Sequence, residues 1–166
     1  RGMSDAAAAS EHGQQDSFLD MPGHLLRRCH QIGVAVFLEE CRAVDLTPLQ
    51  FGLLAALAQF GAMDQASLGR VAALDRTTIV VVLGKLAQRE LVTRTPSRKD
   101  RRSKIVAITD TGRDLLARAL PLARQAQERM VEPLSPSERA QLTTLLAKMA
   151  DGNNRLSRAP HSLPQS

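Results

Sequence analysis

The chain has 166 residues, enough for one domain with a helical extension, and 22 Lys and Arg against 17 Asp and Glu give a net charge of +5 and a pI near 10.0. Tyr and Trp are absent and only four Phe are present, which argues against the stacking platforms that hold single strands or RNA loops; duplex DNA needs none. Two cysteines, Cys29 and Cys41, are too few for a disulfide framework or a zinc site, and no apolar run approaches the roughly 20 residues of a membrane span.

Residues 1–16 are rich in Ala, Ser and Gln without an apolar period, so they are expected to be disordered, with Arg1-Gly2 ahead of Met3 an expression remnant. No apolar core of a secretory signal follows, and a cytoplasmic location is expected. A first helix is predicted from Phe18 to Val44, entered near Pro22, because Leu25, Cys29, Ile32 and Val36 fall on one helical face. That stripe predicts a buried, inert thiol at Cys29. If Cys29 and Cys41 share this helix, about 18 Å of rise separates them, too far for a disulfide.

Thr47-Pro48-Leu49-Gln50 carries the signature of a capping box with proline at the first helical position, followed by Phe51, Leu54, Ala55 and Leu57 on the buried side and Gly61 at the end. Asp64 is placed to cap a short helix through Leu74, and Asp75 to cap another from Arg76 to about Glu90. Two capped helices with so little between them make a helix-turn-helix. In the second, Ile79, Val82, Leu83 and Leu86 form the packed side. After Leu91 the period changes to two: residues 91–95 and 104–108 read as strands around the loop Pro96 to Ser103.

Thr109 begins a further helix with Leu115, Leu116, Ala119, Leu122, Ala123, Ala126 and Met130 at helical spacing, in which Pro121 predicts a kink. Ser135-Pro136-Ser137-Glu138 is a second capping box, followed by Leu142, Leu145, Leu146 and Met149. From Gly152 onward little remains to bury. Between Lys85 and Lys104 eight basic residues face two acids, a local charge of +6 that exceeds the total. Such a block is either a solvated face or a phosphate-contacting surface.

Leu46-Thr47-Pro48-Leu49-Gln50-Phe51, Leu74-Asp75-Arg76-Thr77-Thr78 and Lys99-Asp100-Arg101-Arg102-Ser103-Lys104, in this order, strongly resemble the MarR family of bacterial regulators. The resemblance spans roughly Leu25 to Met149, and Ile108-Thr109-Asp110-Thr111-Gly112 resembles the start of the family's fifth helix. The run from Pro22 to Arg28 looks somewhat like the branch containing nicotinate-catabolism repressors. The resemblance implies a mainly α fold with a small β-hairpin wing, a winged helix-turn-helix joined to a helical dimerisation region. Residues 47–109 would form the DNA lobe, 17–46 and 110–150 the dimerisation region, and 151–166 a flexible tail. It further implies a ligand-responsive homodimer on a pseudo-palindromic operator, its recognition helices about 34–36 Å apart, and repression relieved by a small aromatic acid or phenol.

Within that frame Arg76 can read a guanine with two hydrogen bonds, and Thr77 or Thr78 can touch a thymine methyl or a phosphate. Gln65, Ser67 and Lys85 are candidates for phosphate contacts. Arg98, Lys99, Arg101 and Arg102 can flank or enter the minor groove, while Asp100, by the family pattern, steadies Arg102 and shapes the wing. The plainer alternative is that Arg76 is merely exposed and the hairpin merely solvated. On the first helix His24, Arg28 and Gln31 fall at i, i+4 and i+7; with Arg27, His30 and Phe51 they are the effector candidates, unless they serve salt bridges or caps within the dimer. Two other functions stay open, an oxidant sensor using Cys29 and a protein-binding winged helix. No G-x-S-x-G, H-E-x-x-H or phosphate-loop motif is present, so no enzyme, metal or cofactor is expected.

Overall fold

The computed structural model describes residues 17–164, which fall into two compact units, 17–32 and 33–164. The expected disordered segment, 1–16, lies outside the described residues, as do Gln165 and Ser166. A 3-10 turn, Phe18–Asp20, precedes α1 (Pro22–Glu40), and a second 3-10 turn, Arg42–Val44, follows it. The single helix predicted over this span is therefore in three pieces. Met21, the residue before a proline, is extended, and Cys41, at φ −89° and ψ 13°, leaves helical geometry; these two residues separate the pieces.

The remaining elements follow the capping residues. Thr47 and Gln50 close the box on α2 (Pro48–Phe60), Thr47 Oγ1 accepting the Gln50 N–H at 3.2 Å and Gln50 Oε1 the Thr47 N–H at 3.0 Å. Gly61, at φ 82°, ends it in a conformation that favours glycine. Then come β1 (Met63–Asp64), α3 (Gln65–Val71), α4 (Arg76–Gln88), β2 (Val92–Pro96), β3 (Lys104–Ile108), α5 (Asp110–Met130) and α6 (Pro136–Gly152). The strands form an antiparallel sheet in the order β1-β3-β2, with Met63 opposite Val106 and Thr93 opposite Ala107. The two-residue strand β1 is an addition to the hairpin expected from sequence. α5 runs unbroken through Pro121, which lies on its exposed side, where water can satisfy the freed carbonyl.

Leu53, Leu54 and Leu57 of α2, Leu68 of α3 and Ile79, Val82, Leu83 and Leu86 of α4 form the core with Val106 and the inner face of α5. Phe51 is half-buried, its ring 5.6 Å from that of Phe37. The joint between sheet and α5 is close. Thr109 Oγ1 accepts the Gly112 N–H at 2.9 Å and donates to the Glu90 carbonyl at 2.7 Å, while the Leu91 carbonyl takes the Thr109 N–H at 3.1 Å. A Cβ on Gly112 would collide with that Leu91 oxygen and lie 2.9 Å from Ile108 Cγ1.

α6 buries no residue: Leu145, Leu146 and Met149 are exposed. In residues 17–32 the side chains of Phe18, Leu19, Met21, Leu25, Leu26 and Ile32 are likewise exposed. Cys29 shares this fate and is exposed, contrary to its expected burial, because the stripe it belongs to is uncovered in the single chain. The buried thiol is Cys41, pushed above its ordinary pKa by burial and then by the neighbouring Glu40 carboxylate.

Candidate nucleic-acid interface

The helix-turn-helix is set by two aspartates. Asp64 Oδ1 accepts the Ser67 N–H at 2.9 Å and its Oδ2 the Ser67 hydroxyl at 2.6 Å, while Arg70 Nη2 donates to that hydroxyl at 2.8 Å. Partial burial pushes the Asp64 carboxyl upward, but the bonds from Ser67 and the charge of Arg70 outweigh it and leave the pKa lowered. Ser67, a phosphate-contact candidate, thus has its hydroxyl engaged within the cap. Asp75 Oδ1 accepts the Thr78 N–H at 2.8 Å, and this bond leads the causes that lower its pKa. Between the helices Ala73 takes φ 52°, which lets Leu74 N–H reach the Gly69 carbonyl at 2.9 Å.

Capping Asp75 leaves Arg76 and Thr77 exposed on the first turn of α4, with Thr78 half-buried beneath them and Lys85 exposed farther along. The free N–H groups of a helix start and an arginine there suit an anion or a base edge. The wing tip is held by its own backbone. Ser97 N–H donates to the Ser103 carbonyl at 2.8 Å, Ser97 Oγ accepts the Lys99 N–H at 3.2 Å, and Asp100 Oδ1 accepts the Arg102 N–H at 2.9 Å. Asp100 thus engages the main chain of Arg102, and the exposed side chains of Arg98, Lys99, Arg101 and Arg102 project around a closed turn.

A groove of about 730 Å³ runs between α3, the start of α4 and the wing, lined among others by Gln65, Arg70, Arg76, Arg94, Asp100, Arg102 and Lys104. It brings together four of the sequence candidates, Gln65, Arg76, Asp100 and Arg102; Thr77, Thr78, Lys85, Arg98, Lys99 and Arg101 lie outside its walls. Ser67 lines a neighbouring groove with Asp64 and Arg70. Arg70, Arg94 and Lys104 were not candidates. The charge count contained the last two, but only folding brings them beside Arg76. Among the described residues the only salt bridges join Arg129 to Glu39 and Glu40, at 3.0 and 2.9 Å, so the groove's cations are not neutralised by carboxylate contacts. Arg89 belongs to the scaffold instead, donating to the carbonyls of Asp45 and Val44.

The effector candidates divide between the units. In residues 17–32 the His24 ring stands edge-on to Phe18 at 5.0 Å, Arg27 Nη1 donates to Gln31 Oε1 at 3.2 Å, and Arg28 and His30 are exposed. Phe51 belongs to the second unit.

Known proteins share this fold. A model of the MarR family matches residues 44–103. The transcriptional repressor NicR of Pseudomonas putida is 39% identical over 131 residues, covering 79% of this chain and 83% of NicR. The solved structure of BpsR from Bordetella bronchiseptica, whose DNA binding is regulated by 6-hydroxynicotinic acid, superposes with a TM-score of 0.77 at 35% identity over 81% of this chain and 96% of BpsR. The repressor CouR, solved on a 23-mer DNA duplex, gives a TM-score of 0.73 at 35% identity over 78% of this chain and 92% of CouR. Fold, motifs and these likenesses agree: the chain belongs to the MarR family, a family of winged helix-turn-helix transcription regulators and not of enzymes.

Proposed function

We propose that this protein is a homodimeric, sequence-specific repressor that leaves a pseudo-palindromic operator when a small aromatic acid or phenol binds. The observation that carries the DNA reading is the groove that sets Arg76 of α4 beside the unneutralised cations of the wing. Arg76, with Thr77 and Thr78, selects sequence; Arg98, Lys99, Arg101 and Arg102 grip the backbone, Asp100 shapes the turn that carries them, and Gln65 and Lys85 add phosphate contacts, Ser67 being committed to the Asp64 cap. The exposed apolar faces of α6 and of residues 17–32 support a second copy as their cover. Operator binding requires a cytoplasmic location.

A mobility shift on the DNA beside its own gene, repeated over a salt series, tests the reading. Four to six phosphate contacts give a log–log slope of about −4 to −5; a slope near zero overturns it, and favours a winged helix that binds protein. Arg76→Ala should lose discrimination at one base pair, whereas Lys99→Ala should weaken all sequences alike.

BpsR's response to 6-hydroxynicotinic acid supports an aromatic acid as effector, with His24, Arg27, Arg28, His30, Gln31 and Phe51 as the residues to test. Thermal stabilisation across a panel of aromatic acids, followed by DNA competition, identifies it. A ligand that binds without changing DNA affinity is no inducer, since it does not distinguish the two states.

A further inference from the structure

The described residues beyond α6 do not hang free. After a 3-10 turn, Asn154–Leu156, the Asn154 side chain donates to the His161 carbonyl at 2.8 Å and accepts the His161 N–H at 2.7 Å, closing a loop over residues 154–161. Inside it Ser157 Oγ accepts the Ala159 N–H at 3.1 Å. Past it the Ser162 N–H donates to the Arg70 carbonyl in α3 at 3.1 Å. These bonds make Arg158, Ala159 and Pro160 one wall of the groove whose other walls carry Arg76, Arg94 and Arg102.

A segment lying on a DNA-binding face can cover it or extend it, and charge separates the two. A cover has to offer cations what DNA offers, negative oxygens. Residues 153–164 contain Arg155 and Arg158 and no Asp or Glu. Placing Arg158 beside Arg76 and Arg102 concentrates positive charge, which disfavours the free protein and is relieved when a phosphate enters. Asp75 offsets part of it: the Arg158 charge is among the minor causes of its lowered pKa, after the Thr78 hydrogen bonds.

We propose that the loop 154–161 is a third DNA-contacting element beside the recognition helix and the wing, with Arg158 binding a backbone phosphate of the duplex. The proposal rests on the DNA-binding reading and assigns a contact outside the winged helix-turn-helix.

Phosphate contacts are independent of sequence, so a mixed-sequence duplex of about 30 bp, three turns long, is the probe. Its affinity is measured by anisotropy over a salt series for the full chain and for Arg158→Ala, Asn154→Ala and Lys148→Ala. Arg158→Ala should make the log–log slope shallower by about 0.9 per protomer and lower the affinity at low salt roughly fivefold to tenfold. Asn154→Ala, which frees the loop, should shift both in the same direction by less, and Lys148→Ala, on α6, should match the wild type. Equal melting temperatures for Arg158→Ala and the wild type establish that the fold is intact. Wild-type binding left unchanged by Arg158→Ala overturns this proposal alone, as does tighter binding, the signature of a cover. A wild-type chain without salt-dependent binding overturns the DNA reading as well.

Discussion

The helices α4 and α6 have the same kind of sequence and opposite surroundings. In α4 the stripe Ile79, Val82, Leu83 and Leu86 is buried, Leu83 at 0% exposure; in α6 Leu142, Leu145, Leu146 and Met149 recur at similar spacing, yet Leu145 is 62% exposed. Helical periodicity states that a face wants covering and is silent on whether the cover comes from the same chain. The DNA lobe provides its own core, while the apolar stripe of α6 is left uncovered in the single chain.

The contrast can be broken most severely at Leu83. Leu83→Ala should cost about 3 kcal/mol in denaturant unfolding, by an amount independent of protein concentration. Leu145→Glu should leave the far-UV helical signal of the lobe in place but convert the proposed dimer to monomer in sedimentation. A Leu145→Glu protein with unchanged mass would mean that α6 is not part of the interface. Next in size is Gly112→Ala, for which overpacking predicts a loss of about 2 kcal/mol in the same unfolding assay. No rotamer can relieve a collision with the Leu91 backbone. Wild-type stability in that variant would show that the joint yields.

Acid should then loosen the lobe through its caps. The Asp64 and Asp75 carboxyls have pKa values lowered in the folded chain, so their support is complete above the unfolded value, about pH 4, and is lost as the pH falls through the lower folded values. Asp64→Ala should remove about 1 kcal/mol at neutral pH. Asp64→Asn keeps an acceptor that does not titrate and should flatten the acid limb of a stability-against-pH curve. The smallest effect belongs to Ala73→Gly. Relief of the left-handed strain and the greater freedom of the unfolded chain offset each other to within about 1 kcal/mol, so thermal melts should nearly coincide.

Much of the fold was legible because it is written in local rules. Thr47, Asp64, Asp75, Thr109 and Ser135 each cap the helix their sequence context predicts, through a side-chain oxygen and a nearby backbone N–H. What escaped is non-local. β1 is two residues long, too short to show a period, and exists through its pairing with β3. Arg89 counts as a cation in the sequence, but its bonds reach back more than 40 positions to Val44 and Asp45. Arg94 and Arg158 meet in one groove although 64 residues separate them. Periodicity identified the apolar stripe containing Cys29, but not the absence of a covering surface in the single chain.

The closeness of Gly112 to Leu91 has a mechanical consequence. α5 is a rod of 21 residues, about 30 Å long, clamped at one end to the root of the wing with no room for slack. A seating error of about 5° at that joint would displace the other end by about 3 Å. At that far end Arg129 ties α5 to Glu39 and Glu40 of α1. The tight joint fixes the angle between helix and wing, and the absence of a Cβ at residue 112 lets it seat.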